Sequence, residues 1–294
     1  MKKKHFLMKA LCAGFLTAAL LFSISCSKES DQALPISKSR LKTTYTVTTE
    51  SALKSAVAAA KAGDVITISG TINLTSTLNL TNSGSSSSYI TLQGGTLNCS
   101  GFSSGWGIKL LGSYWKLQNM MLDYSPTNGI VLATGGHNYL YNVNSYYNKG
   151  GGIIIYSGSY SNTLSYCNAK QNYDTQNEGQ NADGFAISLS CGSGNWADHC
   201  VSYYNSDDGF DLYAAGATVK LTYCSSTYNG RGTAGNGNGF KLGSSGQSLT
   251  HTVTYCTSSY NRAWGYDGNG NTGHITTTGS GGTGNASGLW TRVY

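Results

Sequence analysis

Proline and charge are scarce in this 294-residue chain, which has 2 Pro and only 11% Asp, Glu, Lys and Arg together. From residue 65 onward no linker breaks the sequence and apolar residues do not recur at helical spacing, so a string of globular domains and an α-helical fold are both excluded. None of the 8 Cys forms a C-x-x-C pair, which removes the usual support for a zinc site. The formal net charge of +6 falls to +2 once the first 25 residues, with their four Lys and no acid, are set aside. That is too little to hold nucleic acid. What the chain has instead is 39 Gly, 21 Tyr and much Asn, Ser and Thr. Gly and Asn suit tight corners that need positive φ.

The Gly residues are in phase. A Gly followed by an apolar or aromatic residue recurs at Gly107-Ile108, Gly129-Ile130, Gly152-Ile153, Gly184-Phe185, Gly209-Phe210, Gly239-Phe240 and Gly265-Tyr266, in steps of 22, 23, 32, 25, 30 and 26 residues. A second marker, Asn148, Asn172, Asn205, Asn229 and Asn261, follows five residues after Val143, Cys167, Cys200, Cys224 and Cys256. A period in the twenties with growth confined to loops predicts a solenoid of one coil per repeat. In GIVLA, GFDLY and GFKLG apolar residues alternate with others, so Phe210 and Leu212 point inward and Asp211 outward. The expected fold is all-β: a right-handed parallel β-helix of about seven or more coils.

Around that solenoid the chain divides simply. Lys2, Lys3 and Lys4 precede an apolar run from Ala10 to Phe22, so residues 1–26 read as an export signal of lipoprotein type with Cys26 as the lipidated residue. The protein is therefore expected outside the cytoplasm, extracellular or lipid-anchored at the outer membrane of a bacterial cell surface. Residues 27–44 read as a polar tether and 45–294 as one β-helix domain, a monomer. SALKSAVAAAKAGD predicts a short capping α-helix from about Ser51 to Ala62, with Thr49 or Ser51 as cap and Gly63 as stop, covering the first coil's open edge. The column Cys167, Cys200, Cys224, Cys256 reads as a ladder of small apolar residues and not as disulfides, whereas Cys191 lies in an insertion and is a candidate for pairing. The Asn column reads as buried amides bonded from coil to coil.

Five charges stand out against this background. Asp211, Lys241 and Asp267 each follow the inward aromatic of their coil, and Ala186 holds that place one coil earlier, so they form one outward column. Asp183 and Asp208 immediately precede a coil Gly and form the adjacent column, with Asp207 beside them. Four carboxylates so close repel one another unless a cation neutralises them, and an all-oxygen donor set suits Ca²⁺. Lys241 stands one coil on, about 5 Å along the axis. Positive charge nearby depresses a lysine's pKa and fits it for duty as a base.

The stretches NADGFAISLS, CVSYYNSDDGFDLY and GNGNGFKLG resemble polysaccharide lyase family 9, a group of calcium-dependent pectate and rhamnogalacturonan lyases. The opening AGDVITI and the stretch NSGSSSSYITLQG share the likeness, which spans about residues 45–270. The resemblance implies that Asp183, Asp207, Asp208 and Asp211 hold Ca²⁺, that the Gly209 carbonyl adds a ligand, and that Lys241 is the catalytic base. It also implies a substrate, an acidic plant polysaccharide such as pectin, and a reaction, β-elimination leaving a 4,5-unsaturated uronate. Arg231, Arg262 and Lys149 are candidates for binding further substrate carboxylates. Asp267 is a candidate either for touching substrate or for pairing with Lys241.

Other functions are weighed by particular segments. A polygalacturonase-like hydrolase of the same fold carries Gly-His-Gly and Arg-Ile-Lys segments; none of His137, His199, His251 or His274 has that context, and no Arg-Ile-Lys occurs. A non-catalytic polysaccharide-binding β-helix gives no reason for a Lys in phase with the acids. Between a polygalacturonate and a rhamnogalacturonan backbone the apparatus does not choose. After Asn271 the chain offers HITTT and a Gly-rich tail, which either frays or folds back with Leu289 and Trp290 over the last coil.

Overall fold

The computed structural model describes residues 41–294; the export signal, Cys26 and most of the polar tether lie outside the described residues. These residues form a parallel β-helix of 24 short strands and one helix.

One sheet carries the site. It runs through nine strands: Leu78–Leu80, Ile108–Leu110, Ile130–Ala133, Ile153–Tyr156, Phe185–Ile187, Phe210–Asp211, Phe240–Lys241, Trp264–Asp267 and Gly288–Thr291. Each pairs in parallel with the next, and the register aligns Leu78, Ile108, Ile130, Ile153, Phe185, Phe210, Phe240, Tyr266 and Trp290 in one column. The repeat of Gly with an apolar residue is thus the register of this sheet. All but Trp290 are fully buried, and the rings of Phe185, Phe210, Phe240 and Tyr266 lie parallel with centroids 4.8–4.9 Å apart. Trp290 stacks on Tyr266 at 4.2 Å and Leu289 packs against the core, so the Gly-rich tail folds back as a further strand.

The corner leading into this sheet is bound by the Asn column. Nδ2 of Asn148, Asn172, Asn205, Asn229 and Asn261 each donates to Oδ1 of the Asn one coil on, at 2.8–3.2 Å, ending at Asn285. The same Oδ1 atoms accept backbone N–H groups, so every buried amide is satisfied. Positive φ, however, falls on the residue before each Asn: Tyr147, Gln171, Tyr204, Tyr228 and Tyr260 have φ of 55–58°. The expectation that positive φ falls on Gly and Asn holds elsewhere, as at Gly94, Gly95, Asn119 and Asn142, but is corrected at these corners. Tyr204, Tyr228 and Tyr260 stack ring on ring along the surface, contact that offsets the left-handed backbone. The Cys column is buried and its thiols are free, as is Cys191.

A second amide column, Asn138, Asn162 and Asn195, escaped the sequence reading. Two coils further on, the buried His251 continues it, its Nδ1 accepting the Val219 amide at 3.0 Å. At the N-terminal end the helix spans Glu50–Ala59, capped by Thr49, whose hydroxyl accepts the Ala52 amide. Leu53, Ala56 and Val57 are buried against the first coil. The helix stops short of Ala62 because Asn82 Nδ2 takes the carbonyls of Val57, Ala58 and Ala60, each at 3.0 Å. A strand ahead of it, Thr44–Val47, pairs with Val65–Ile68 and begins within the expected tether.

Candidate active site

The acids of the site grow out of a structural ladder. In the column just before the coil Gly, Asn128 Oδ1 accepts the Gly151 amide, Asp183 Oδ1 the Asp208 amide, Asp208 Oδ1 the Asn238 amide, and Asn238 Oδ1 the Trp264 amide. Asn and Asp serve this ladder equally, since one side-chain oxygen is enough. Where the residue is Asp, the second atom is another oxygen and not an amide N–H. Asp208 is fully buried and its Oδ2 has no hydrogen-bond partner.

Asp207 is positioned by two loops. Its Oδ2 accepts the Asn181 amide at 2.9 Å, and its Oδ1 accepts the amides of Asn236 and Gly237 at 2.5 and 3.4 Å. The loops also grip each other, through the Thr233 amide on the Glu178 carbonyl and the Thr233 hydroxyl on the Glu178 carboxylate. One carboxylate oxygen each from Asp183, Asp207 and Asp208 then lie within 4.8 Å of one another. A buried oxygen without a hydrogen bond, in a donor set of oxygens alone, fits a hard cation such as Ca²⁺.

Asp211 and Lys241 come from the neighbouring outward column, directly paired in register. The Lys241 ammonium is 3.5 Å from both Asp208 Oδ2 and Asp211 Oδ2, and lies 5.0 Å from the centre of the Tyr213 ring. Asp211 Oδ1 accepts the Tyr213 amide at 2.7 Å. Burial pushes the carboxyls of Asp183 and Asp208 well above the usual carboxylate range, and the charge of the neighbouring Asp side chains adds to it. Burial likewise raises Asp211, with Lys241 opposing. For Lys241 burial acts downward, but the four carboxylates outweigh it and hold the ammonium above its ordinary range. In this arrangement lysine is the counter-charge of the acids, so its protonation is tied to whatever else neutralises them.

These groups open into a cleft of about 610 Å³ whose lining includes Asp183, Asp207, Asp211, Lys241, Tyr213 and Asn269. Arg231, Arg262, Lys149 and Asp267 do not line it. The Arg262 guanidinium donates to the carbonyls of Gly232 and Gly235, bracing the loop whose amides hold Asp207 and Asp208. Arg231 lies over the Tyr204 ring at 5.3 Å and Lys149 is exposed. Asp267 is engaged by Arg292, which donates to both carboxylate oxygens at 2.7 and 2.8 Å, and not by Lys241. The Gly209 carbonyl accepts the Phe185 amide within the sheet. Sequence reading missed Tyr213, whose only signal is its place two residues after Asp211. It also missed the amides of residues 181, 236 and 237, which lie in loops outside the repeat.

A family model described as Pel9A-like, right handed beta helix region, matches residues 37–292. Pectate lyase L of Dickeya chrysanthemi is 33% identical over 177 residues, covering 58% of this chain and 41% of that protein. Pectate lyase L of Paenibacillus polymyxa is 32% identical over 194 residues, covering 58% and 42%. The chain thus matches less than half the length of these curated relatives. Among solved structures, that of pectate lyase Pel9A superposes with a TM-score of 0.74 at 26% identity, covering 81% of this chain and 69% of that one. A rhamnogalacturonan lyase at 22% identity and a TM-score of 0.71 shares the fold.

Proposed function

The chain belongs to the Pel9A-like right-handed β-helix family, and we propose that it is a calcium-dependent pectate lyase cleaving polygalacturonate-type chains by β-elimination. The observation that carries this reading is the placing of Lys241 3.5 Å from two carboxylates, one of them, Asp208, in a cluster of carboxylate oxygens and with its buried Oδ2 lacking a hydrogen bond. Asp183, Asp207, Asp208 and Asp211 would hold the cation. A Ca²⁺ held by them would draw charge from the substrate carboxylate, making the C5 proton more acidic, and would offset the acidic field that keeps Lys241 protonated. Lys241, neutral at the moment of reaction, takes the C5 proton at Nζ. The electron pair left on C5 forms the C4–C5 double bond as the bond from C4 to the bridging oxygen breaks; that oxygen leaves as a hydroxyl by taking a proton from water in the cleft, and Lys241 gives its proton back to solvent. Tyr213 bounds the Lys241 ammonium, and its amide fixes Asp211, so the base is held on the side facing the cleft.

The export signal and Cys26 support a place outside the cell, anchored by lipid, where such polymers occur. The same apparatus serves a uronate within a rhamnogalacturonan backbone, and both polymers belong in the test. Wild-type protein with calcium is expected to release product bearing the ultraviolet chromophore of a 4,5-unsaturated uronate, more so toward alkaline pH. New reducing ends without that chromophore would mean hydrolysis and defeat the proposal.

A further inference from the structure

The outward column that supplies Asp211 and Lys241 runs on past the cleft. Followed toward the N-terminal coils it reads Lys241, Asp211, Ala186, Ile154, Val131 and Lys109, each in direct register with the next. The first four line the cleft. Val131 joins Ile154 and Ala186 in an apolar cluster separate from the core, and Trp106 and Tyr156 pack against it. Those two rings meet edge to face at 6.3 Å, and the Lys109 ammonium lies 4.8 Å from the centre of the Trp106 ring. Trp106, Tyr156 and Lys109 are all half-buried. The cleft therefore leads onto an aromatic pair with a cation beside it.

Charge gives this place a use. Asp183, Asp207, Asp208 and Asp211 bring four carboxylates to the reacting end, and one divalent cation together with Lys241 leaves them short of neutral. A polymer with a carboxylate on every sugar is repelled there unless cations elsewhere hold it. Lys241 is the one cation among the residues lining the cleft, and it is committed to Asp208 and Asp211. Asn128, Gln180 and Asn181 also line the cleft and offer hydrogen bonds without charge. Lys109 is the next cation along the column, and among the described residues no carboxylate pairs with it. Five register steps of about 4.8 Å place it roughly 24 Å from Lys241 along the axis. An aromatic ring beside an unpaired ammonium matches a uronate, whose ring has an apolar face and whose carboxylate is anionic.

On the lyase reading above, we infer that Lys109 and Trp106 form a distal subsite for a uronate of the same polysaccharide chain that reaches Lys241. Lys109 Nζ takes the carboxylate, and the rings of Trp106 and Tyr156 bound the sugar. A pyranose residue in an extended chain spans about one register step, so only a chain running roughly five residues beyond the reacting one fills both places. The subsite serves binding and takes no part in proton transfer.

The experiment compares wild type with Lys109→Gln, at low salt with calcium, on tetragalacturonate and on polygalacturonate, reading KM and kcat by the unsaturated-product chromophore. The variant is expected to raise KM on the polymer by about three- to fivefold, the upper range for a solvent-screened ion pair, with kcat unchanged. KM on the tetramer, too short to reach Lys109 from Lys241, should not move. Lys109→Arg keeps the charge and should keep the wild-type KM on the polymer. An unchanged polymer KM in Lys109→Gln, or an equal rise on the tetramer, would overturn the subsite. Absence of unsaturated product from wild type on both substrates would instead overturn the lyase reading on which it rests.

Discussion

Two columns of the same strands, one residue apart, have opposite characters. The inward column reads Phe185, Phe210, Phe240, Tyr266, Trp290, near-uniform and stacked; the outward column reads Ala186, Asp211, Lys241, Asp267, Thr291, with no two neighbours of one kind. Repetition inside serves stacking between coils, since each ring meets the same ring above and below. Variety outside has no such use. With the neighbouring Asp208, it leaves a buried Oδ2 without a hydrogen bond and Lys241, 3.5 Å from it, committed to the acids' charge, an arrangement that costs stability unless a ligand completes it. In a solenoid, the break in the repeat marks the site.

Substitutions on each side of the strand should therefore separate chemistry from folding. Lys241→Ala is expected to lower kcat by about 10²- to 10⁴-fold, the usual worth of a general base, with the melting temperature of the calcium-loaded protein little changed and that of the chelated protein lowered, since the acids lose their counter-charge. Loss of folding with loss of activity would blur the division. Phe210→Ala, the inward neighbour of Asp211, should do the reverse and cost about 3–5 kcal/mol in urea unfolding. Arg262→Ala tests the brace behind the acids: calcium affinity, measured by calorimetry, should fall by about 10- to 100-fold through Asp207 and Asp208. If only the substrate KM rises, Arg262 touches polysaccharide. The smallest effect concerns His251, a titratable member of an amide column. Burial pushes its imidazole down to about 4, below the ordinary value near 6.5. The unfolded chain therefore takes up this proton first, and stability is lost as pH falls from about 6.5 toward 4. His251→Asn, able to accept the same Val219 amide, should flatten that part of the melting profile.

Much of this was legible because the fold repeats. Gly and Asn spacing identified the sheet register and the amide ladder, and the same phasing brought Asp183, Asp207, Asp208, Asp211 and Lys241 to one face. What was not legible lies outside the repeat. The grip of Asn181, Asn236 and Gly237 on Asp207, and the seat of Arg262, depend on two loops whose meeting no periodicity records. Tyr204, Tyr228 and Tyr260 hold left-handed corners against local propensity, because stacking between coils outweighs it. Asp267 shared the outward column with Lys241 in sequence, yet Arg292, just past the last strand, claims it.

The central claim is that a structural ladder has been turned into a cation site by replacing Asn with Asp. Calorimetric titration of chelator-stripped protein with calcium, wild type against Asp208→Asn, tests it most directly. Asn keeps the oxygen that accepts the Asn238 amide and exchanges Oδ2, which has no hydrogen bond, for an amide nitrogen. The variant should fold as stably as the stripped wild type and bind calcium more weakly by about a hundredfold or more. Equal calcium affinity in the two proteins would contradict the account.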